Sequence, residues 1–275
     1  MANVLKKEKQ IAIIAGLAEG MGIRQIERMT GIFRDTIMSY GLRVGQGCAE
    51  LMDAKMRNLD CNRIEMDEIW GYVGKKQKHV TPDDDYSKGD VWTFCSFDPD
   101  TKIVPSYRIG KRTTETANAF VADLSSRLKN RVQLSSDALP AYGDAVERGF
   151  GSEVDYAVIV KSYEAVETSA PQRRYSAPRL VKVTKGRVAG NPNPRFVSTS
   201  GVERLNATTR HHVKRLARLT LAFSKQLENF EAAIGLHFAY YNFCKSHRSV
   251  RMTPAMAAGI TNNFWSVADL VEKTI

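Results

Sequence analysis

RIEMDEIWGYVG, residues 63–74, is where the chain changes its repeat. Before it, apolar residues recur at helical spacing. From Arg63 onward, short runs rich in β-branched and aromatic residues, bounded by polar turn segments, read as strands. Two more such runs follow, VWTFCSFDP from Val91 and IVPSYRIG from Ile103, separated by TPDDDYSKGD and DPDTK. Three consecutive strands predict an antiparallel meander. Beyond it the pattern predicts a helix over 114–129, a strand over 132–136, a short helix after Pro140 and a strand over 155–160. That alternation implies parallel strands joined by helical crossovers.

Working back toward the N-terminus, residues 6–20 place Ile11, Ile14, Leu17 and Ala18 on one helical face and end at Gly20. A short helix fits 24–29, Gly31 makes a turn, and 33–44 reads as a third helix with Phe33, Ile37 and Tyr40 inward. This is helix-turn-helix spacing, and it assigns residues 1–57 to an all-α DNA-binding domain.

Working forward, residues 164–199 hold four prolines and many positive charges, so they read as an irregular basic insertion with a short strand at LVKV. A helix is expected from Val202 to about Leu219, with Leu205, Val213, Leu216 and Leu219 packing inward, and another over 224–245. Residues 58–245 then form an α/β catalytic domain, and 246–275 a helical tail.

The net charge of +10 on 275 residues implies a polyanionic partner, nucleic acid first. Four scattered cysteines form no CxxC pair, which argues against a zinc ribbon or a disulfide framework and for a reduced, cytoplasmic protein. No stretch has the length and apolarity of a membrane span or a secretory signal. No Walker loop or GxGxxG supports nucleotide hydrolysis.

Three antiparallel strands, a helix, a strand, a helix, a strand and a late helix is the element order of an RNase H-like domain, a mixed sheet flanked by helices. Its chemistry requires carboxylates on the first strand, at the end of the fourth, and on a late helix. Those positions hold Asp67, Asp137 and Glu203. Each has a plainer reading as well. Asp67 can share a solvated strand face with Glu65, Asp137 can cap a turn or helix, and Glu203 can complete a capping box begun at Ser200. Against the last, Glu203 is the one acid among thirteen basic residues between Glu167 and Glu228. Asn206, Arg210 and Lys214 follow it at helical spacing, which sets phosphate-binding cations beside a metal-binding acid.

GVERLNATTRHHVKRLARLTLAFSK, residues 201–225, resembles the catalytic helix of insertion-sequence-one family transposases, within the DDE transposase and integrase group. MDEIWGYVGKK around Asp67 and LSSDALPAYG around Asp137 resemble that family's first two acidic motifs. YYNFCKSHRSVRMTPAMAAG resembles the tail of many transposases of the group. The resemblance covers most of residues 5–260. It implies that Asp67, Asp137 and Glu203 are the DDE triad holding two Mg²⁺ ions, with Mn²⁺ able to substitute, and that Arg210 is the basic residue two turns beyond the glutamate.

The implied reaction is cleavage at element ends followed by strand transfer, with double-stranded DNA as partner and at least a dimer on it. A domesticated DNA-binding regulator and an RNase H-like nuclease are the alternatives. One departure is the absence of the cysteine-rich zinc segment that some members carry, so end binding is expected to rest on residues 6–45. Arg34, Thr36, Ser39 and Arg43 are the expected base-reading positions. Lys75, Lys76 and Lys78, then Asn206, Arg210, Lys214, Arg215 and Arg218, are the expected backbone contacts.

Overall fold

The computed structural model describes residues 5–164 and 179–275. Three helices open it: α1 (Lys7–Ala18), α2 (Ile23–Thr30) and α3 (Arg34–Lys55). Gly31 adopts φ 67°, the left-handed conformation that ends α2 and turns the chain into α3. Helix α3 outlasts its expected end at Val44 by three turns. The glycines that suggested a stop are points of close approach instead: a Cβ on Gly45 would lie 2.3 Å from the Ala232 carbonyl oxygen. Tertiary packing overrides propensity there. Ile37 and Tyr40 are buried as expected, but Phe33, just ahead of the helix, is 57% exposed.

The six strands are β1 (Arg63–Val73), β2 (Gly89–Phe97), β3 (Tyr107–Gly110), β4 (Val132–Asp137), β5 (Val154–Glu164) and β6 (Arg179–Ala189). They form one mixed sheet in the order β3-β2-β1-β4-β5-β6. The meander is antiparallel, and β1, β4 and β5 run parallel. The parallel links are made through α4 (Thr114–Arg127) and α5 (Pro140–Phe150), as right-handed crossover rules require of strands that cannot be joined by a tight turn.

The basic insertion is more regular than its prolines suggested. Residues 179–189 form a full edge strand antiparallel to β5, which itself runs on to Glu164. Pro171 and Pro178 lie outside the described residues.

Four helices follow: α6 (Ser200–His212), α7 (Leu227–Phe243), α8 (Pro254–Ala257) and α9 (Val267–Glu272). Helix α6 is two turns shorter than its apolar pattern suggested. Val213 leaves helical geometry (φ −107°, ψ 88°), and a 3₁₀ turn over Lys214–Leu216 carries Leu216 down against Gly71 of β1. Leu205, Val213 and Leu216 are buried, whereas Leu219 is 85% exposed. The period was read across a break in the helix.

Helices α4 and α5 cover one face of the sheet and α6 with α7 the other. Phe94 of β2 meets Phe120 and Tyr142 on the first side, and Phe230 packs on Gly71 on the second. One continuous apolar core runs from Ile13 and Ile37 through Ile64 and Phe94 to Phe243 and Leu270. Among the described residues no helix is long and apolar enough to cross a membrane.

Candidate active site

Because β1 and β4 are parallel neighbours with Met66 opposite Ser136, Asp67 in mid-strand comes level with Asp137 at the strand end. Glu68 reaches the same place from the other face of β1. One carboxylate oxygen from each of Asp67, Glu68 and Asp137 lies within 4.8 Å of the others. Three hard oxygen donors so close suit a hard divalent cation.

The neutralisation of these acids is uneven. Glu68 is almost wholly buried and fully partnered: Arg112 Nε donates to its Oε1 at 2.8 Å, and the Tyr142 hydroxyl donates to Oε2 at 3.1 Å. Burial and Asp137 still push its carboxyl above the usual range. Asp67 is bonded to a neutral side chain, Asn206, whose Nδ2 donates to Oδ2 at 2.7 Å. Burial first, then the charges of Glu68, Asp137 and Glu203, raise the Asp67 carboxyl to about 7. A carboxylate so placed is stabilised as an anion by binding a cation, and the three hard oxygens within 4.8 Å of one another are the observation by which the residues fit a metal. Asp137 accepts from the Leu139 backbone N–H at 3.1 Å, the turn-capping bond that its plainer reading foresaw.

Glu203 stands apart from the cluster. It lies in the first turn of α6, with its side chain 46% exposed, and its Oε1 accepts from the Lys161 ammonium and from the Thr199 hydroxyl, the latter at 2.7 Å. The capping box expected from Ser200 does not form, because Thr199 is the N-cap and makes no side-chain cap bond. The helix start is held from β1 instead. Glu65 Oε2 accepts from the Val202 backbone N–H at 2.8 Å, and a Cβ on Gly201 would stand 2.9 Å from that same oxygen. Glu65 is therefore no solvated partner of Asp67; it is 4% exposed and tethers α6 to the sheet.

Asn206, expected among the DNA contacts, is likewise 4% exposed, its amide occupied by Asp67 and by the Cys95 thiol. Arg210, one turn on, is half-buried, its Nε without a hydrogen-bond partner among the described residues. Burial, then the nearby Arg218, lowers its pKa.

The other expected DNA contacts fall into two groups. Arg34, Thr36, Ser39 and Arg43 all lie exposed on α3, and Lys78, Lys214 and Arg218 are exposed as well. Lys75 is paired with Asp84 at 2.8 Å, Lys76 lies over the Trp70 and Tyr72 rings, and Arg215 donates to Ser224 Oγ at 2.7 Å. Lys214 follows the end of α6 and so does not continue the helical face of Glu203.

Glu68, Arg112, Tyr142, Glu65 and Lys161 were not anticipated as members of the site. Only Glu68 carried a signal, its adjacency to Asp67. The strand pleat argued against that signal by placing neighbours on opposite faces.

No family model matches the chain. In sequence it is similar to the InsB protein of insertion element iso-IS1n from Shigella dysenteriae, 26% identical over 179 residues, which is 65% of this chain and 95% of that one. It is also 26% identical to an insertion element IS1 InsB protein of Escherichia coli strain K12, over 62% of this chain and 70% of that protein. Of solved structures, the Mos1 strand transfer complex matches 87% of this chain and 77% of its own at 13% identity, with a TM-score of 0.24, too low to establish a shared fold. The resemblance to the insertion-sequence-one family stands on the InsB proteins, to which this chain is similar in sequence.

Proposed function

We propose that this relative of the InsB proteins is a DDE-type DNA transposase, built on an RNase H-like domain over residues 58–245 behind a helix-turn-helix over 1–57 and ahead of a helical tail over 246–275. The observation that carries the reading is the meeting of Asp67 and Asp137 on adjacent parallel strands, with the first turn of α6, which bears Glu203, tied to β1 by Glu65.

Asp67, Asp137 and Glu203 are the residues that would hold two divalent ions, Mg²⁺ by preference. Such ions supply Lewis acidity to an attacking oxygen and charge neutralisation to a leaving one. The protein's own part is positioning. Asn206 fixes the Asp67 carboxylate, Glu65 fixes the α6 N-terminus, and Arg210 brings a desolvated guanidinium to the phosphate. In the first step a water oxygen bonds to phosphorus and the strand is cut, leaving a 3′-hydroxyl at the element end. In the second, that hydroxyl attacks a target phosphodiester in line, one P–O bond forming as another breaks. No enzyme nucleophile is needed.

End recognition falls to α3, whose exposed Arg34, Thr36, Ser39 and Arg43 suit the major groove. Two ends must be held together for joining, so a dimer or larger assembly forms on double-stranded DNA.

The test is Mg²⁺-dependent cleavage and strand transfer on DNA carrying the gene's own flanking sequence, comparing wild type with Asp137→Asn. Cutting and joining that fall by about 10³-fold or more in the variant, with DNA binding retained, support the reading. Binding without cutting by the wild type points instead to a DNA-binding regulator, and cutting without joining to a nuclease.

A further inference from the structure

We propose that Lys161 is a phosphate-binding residue of this site, held on Glu203 until DNA arrives. The proposal rests on the transposase reading above and adds a residue to it.

Lys161 lies on β5, two positions beyond Ile159, which pairs with Asp137 in the parallel register. Period-two alternation therefore puts Lys161 and Ile159 on one face of the sheet, the face on which Glu203 waits. Among the described residues, Lys161 is the only cation bonded to a member of the expected triad. Asp67 is held by an amide and Asp137 by a backbone N–H. Its side chain is 25% exposed and that of Glu203 46%, so the pair is open to solvent.

A permanent structural bridge is a poor account of this pair. Half-exposed Lys–carboxylate pairs contribute little to stability, and both partners have a better use nearby. A divalent ion competes directly for the Glu203 carboxylate. Once released, the Lys161 ammonium has lost its carboxylate partner, and a DNA phosphate entering between β5 and α6 supplies a new anion. The strand paired with β5 adds to the same attraction: β6 holds Arg179, Lys182, Lys185 and Arg187 and no acid.

Each charge of the Lys161–Glu203 pair then keeps an opposite partner. A divalent ion held by Glu203 would free Lys161, and Lys161 would take a phosphate. The metal-free carboxylate is kept from binding stray cations, and metal and DNA bind in support of one another.

The test uses the full chain in two measurements. Mn²⁺ binding to the DNA-free protein is followed by the loss of free-ion electron paramagnetic resonance signal, for wild type, Lys161→Met, Lys161→Arg and Asp137→Asn. Cleavage in Mg²⁺ is then measured on the flanking-sequence duplex. Lys161→Met is expected to bind Mn²⁺ about three- to fivefold more tightly, because a competing cation is gone, and yet to cut at least about tenfold more slowly. Lys161→Arg, which keeps the charge, is expected to recover most of the cleavage and to lose the gain in Mn²⁺ affinity. A merely structural lysine moves neither measurement in opposite directions.

Lys161→Met with unchanged Mn²⁺ affinity, or with wild-type cleavage, overturns the proposal while leaving the transposase reading intact, provided Asp137→Asn still abolishes cutting. A wild-type chain that neither takes up Mn²⁺ nor cuts overturns both.

Discussion

The two faces of β1 treat buried acids in opposite ways. On the face under α4 and α5, Glu68 is closed off: an arginine, a tyrosine hydroxyl and an aromatic wall satisfy it. On the face under α6, Glu65 is satisfied by backbone N–H groups, while Asp67, one pleat further on, is held by the Asn206 amide and lies near the like charges of Glu68, Asp137 and Glu203. The contrast separates an acid whose charge is met by a cation inside the fold from an acid whose charge is not. Burial alone does not distinguish them; the charge of the partner does.

The largest effect expected from this contrast concerns pH. The Asp67 carboxyl stands at about 7 in the folded chain against an ordinary 3.8. Between those values the native state binds a proton that the unfolded chain does not, so the metal-free protein loses stability as pH rises from about 4 to about 7. The loss is at most about 4 kcal/mol, and the raised Glu65 and Glu68 carboxyls act in the same direction. Urea unfolding in a chelator across pH 5–8 measures it. Asp67→Asn should flatten the curve, and Mg²⁺ should restore stability to the wild type above pH 7 while doing little for the variant. A wild-type curve already flat in chelator would erase the difference between the faces.

Arg112→Ala tests the satisfied face. It strands Glu68, whose side chain is 2% exposed, with a tyrosine as its only direct partner. A full buried-pair loss is about 3–5 kcal/mol, and since the Arg112 side chain is 41% exposed the expected cost is roughly 2–3 kcal/mol at neutral pH. The deficit should shrink as pH falls and Glu68 takes up a proton. A cost below about 0.5 kcal/mol in urea unfolding would mean that Glu68 is no better satisfied than Asp67.

Much of this arrangement was legible in the sequence, and the failures share a cause. The antiparallel meander, the parallel strands with helical crossovers and the late helix expected over 224–245 follow from period and turn residues, all local or topological signals. The errors lie where a distant segment decides. The glycines of α3 read as a stop until α7 is seen crossing them, and the apolar period of α6 continues in letters past Val213 although the backbone has turned. In the site, an acid's residue type announced it but its partner did not. Arg112 is 44 residues from Glu68, and Val202 is 137 from Glu65. No spacing rule reaches across such separations.

The smallest expected effect is the most discriminating for the α6 face. Glu65 accepts from a backbone N–H in the first turn of α6, where Thr199, the N-cap, makes no side-chain cap bond. Glu65→Ala removes the acceptor and leaves that N–H unpaired in a dry place, at an expected cost of about 1–3 kcal/mol. Glu65→Gln keeps a carbonyl oxygen in the same position and gives up only a charge that burial already disfavours, so it should lie within about 1 kcal/mol of wild type. If Glu65 acts solely as an acceptor, Gln restores both the unfolding midpoint and the Mn²⁺ affinity that Ala lowers by tilting Glu203 away. If instead Glu65→Gln loses Mn²⁺ affinity as far as Asp67→Asn does while remaining folded, Glu65 belongs with Asp67 among the metal-seeking acids, and the line between the two kinds of carboxylate on β1 has to be redrawn one pleat earlier.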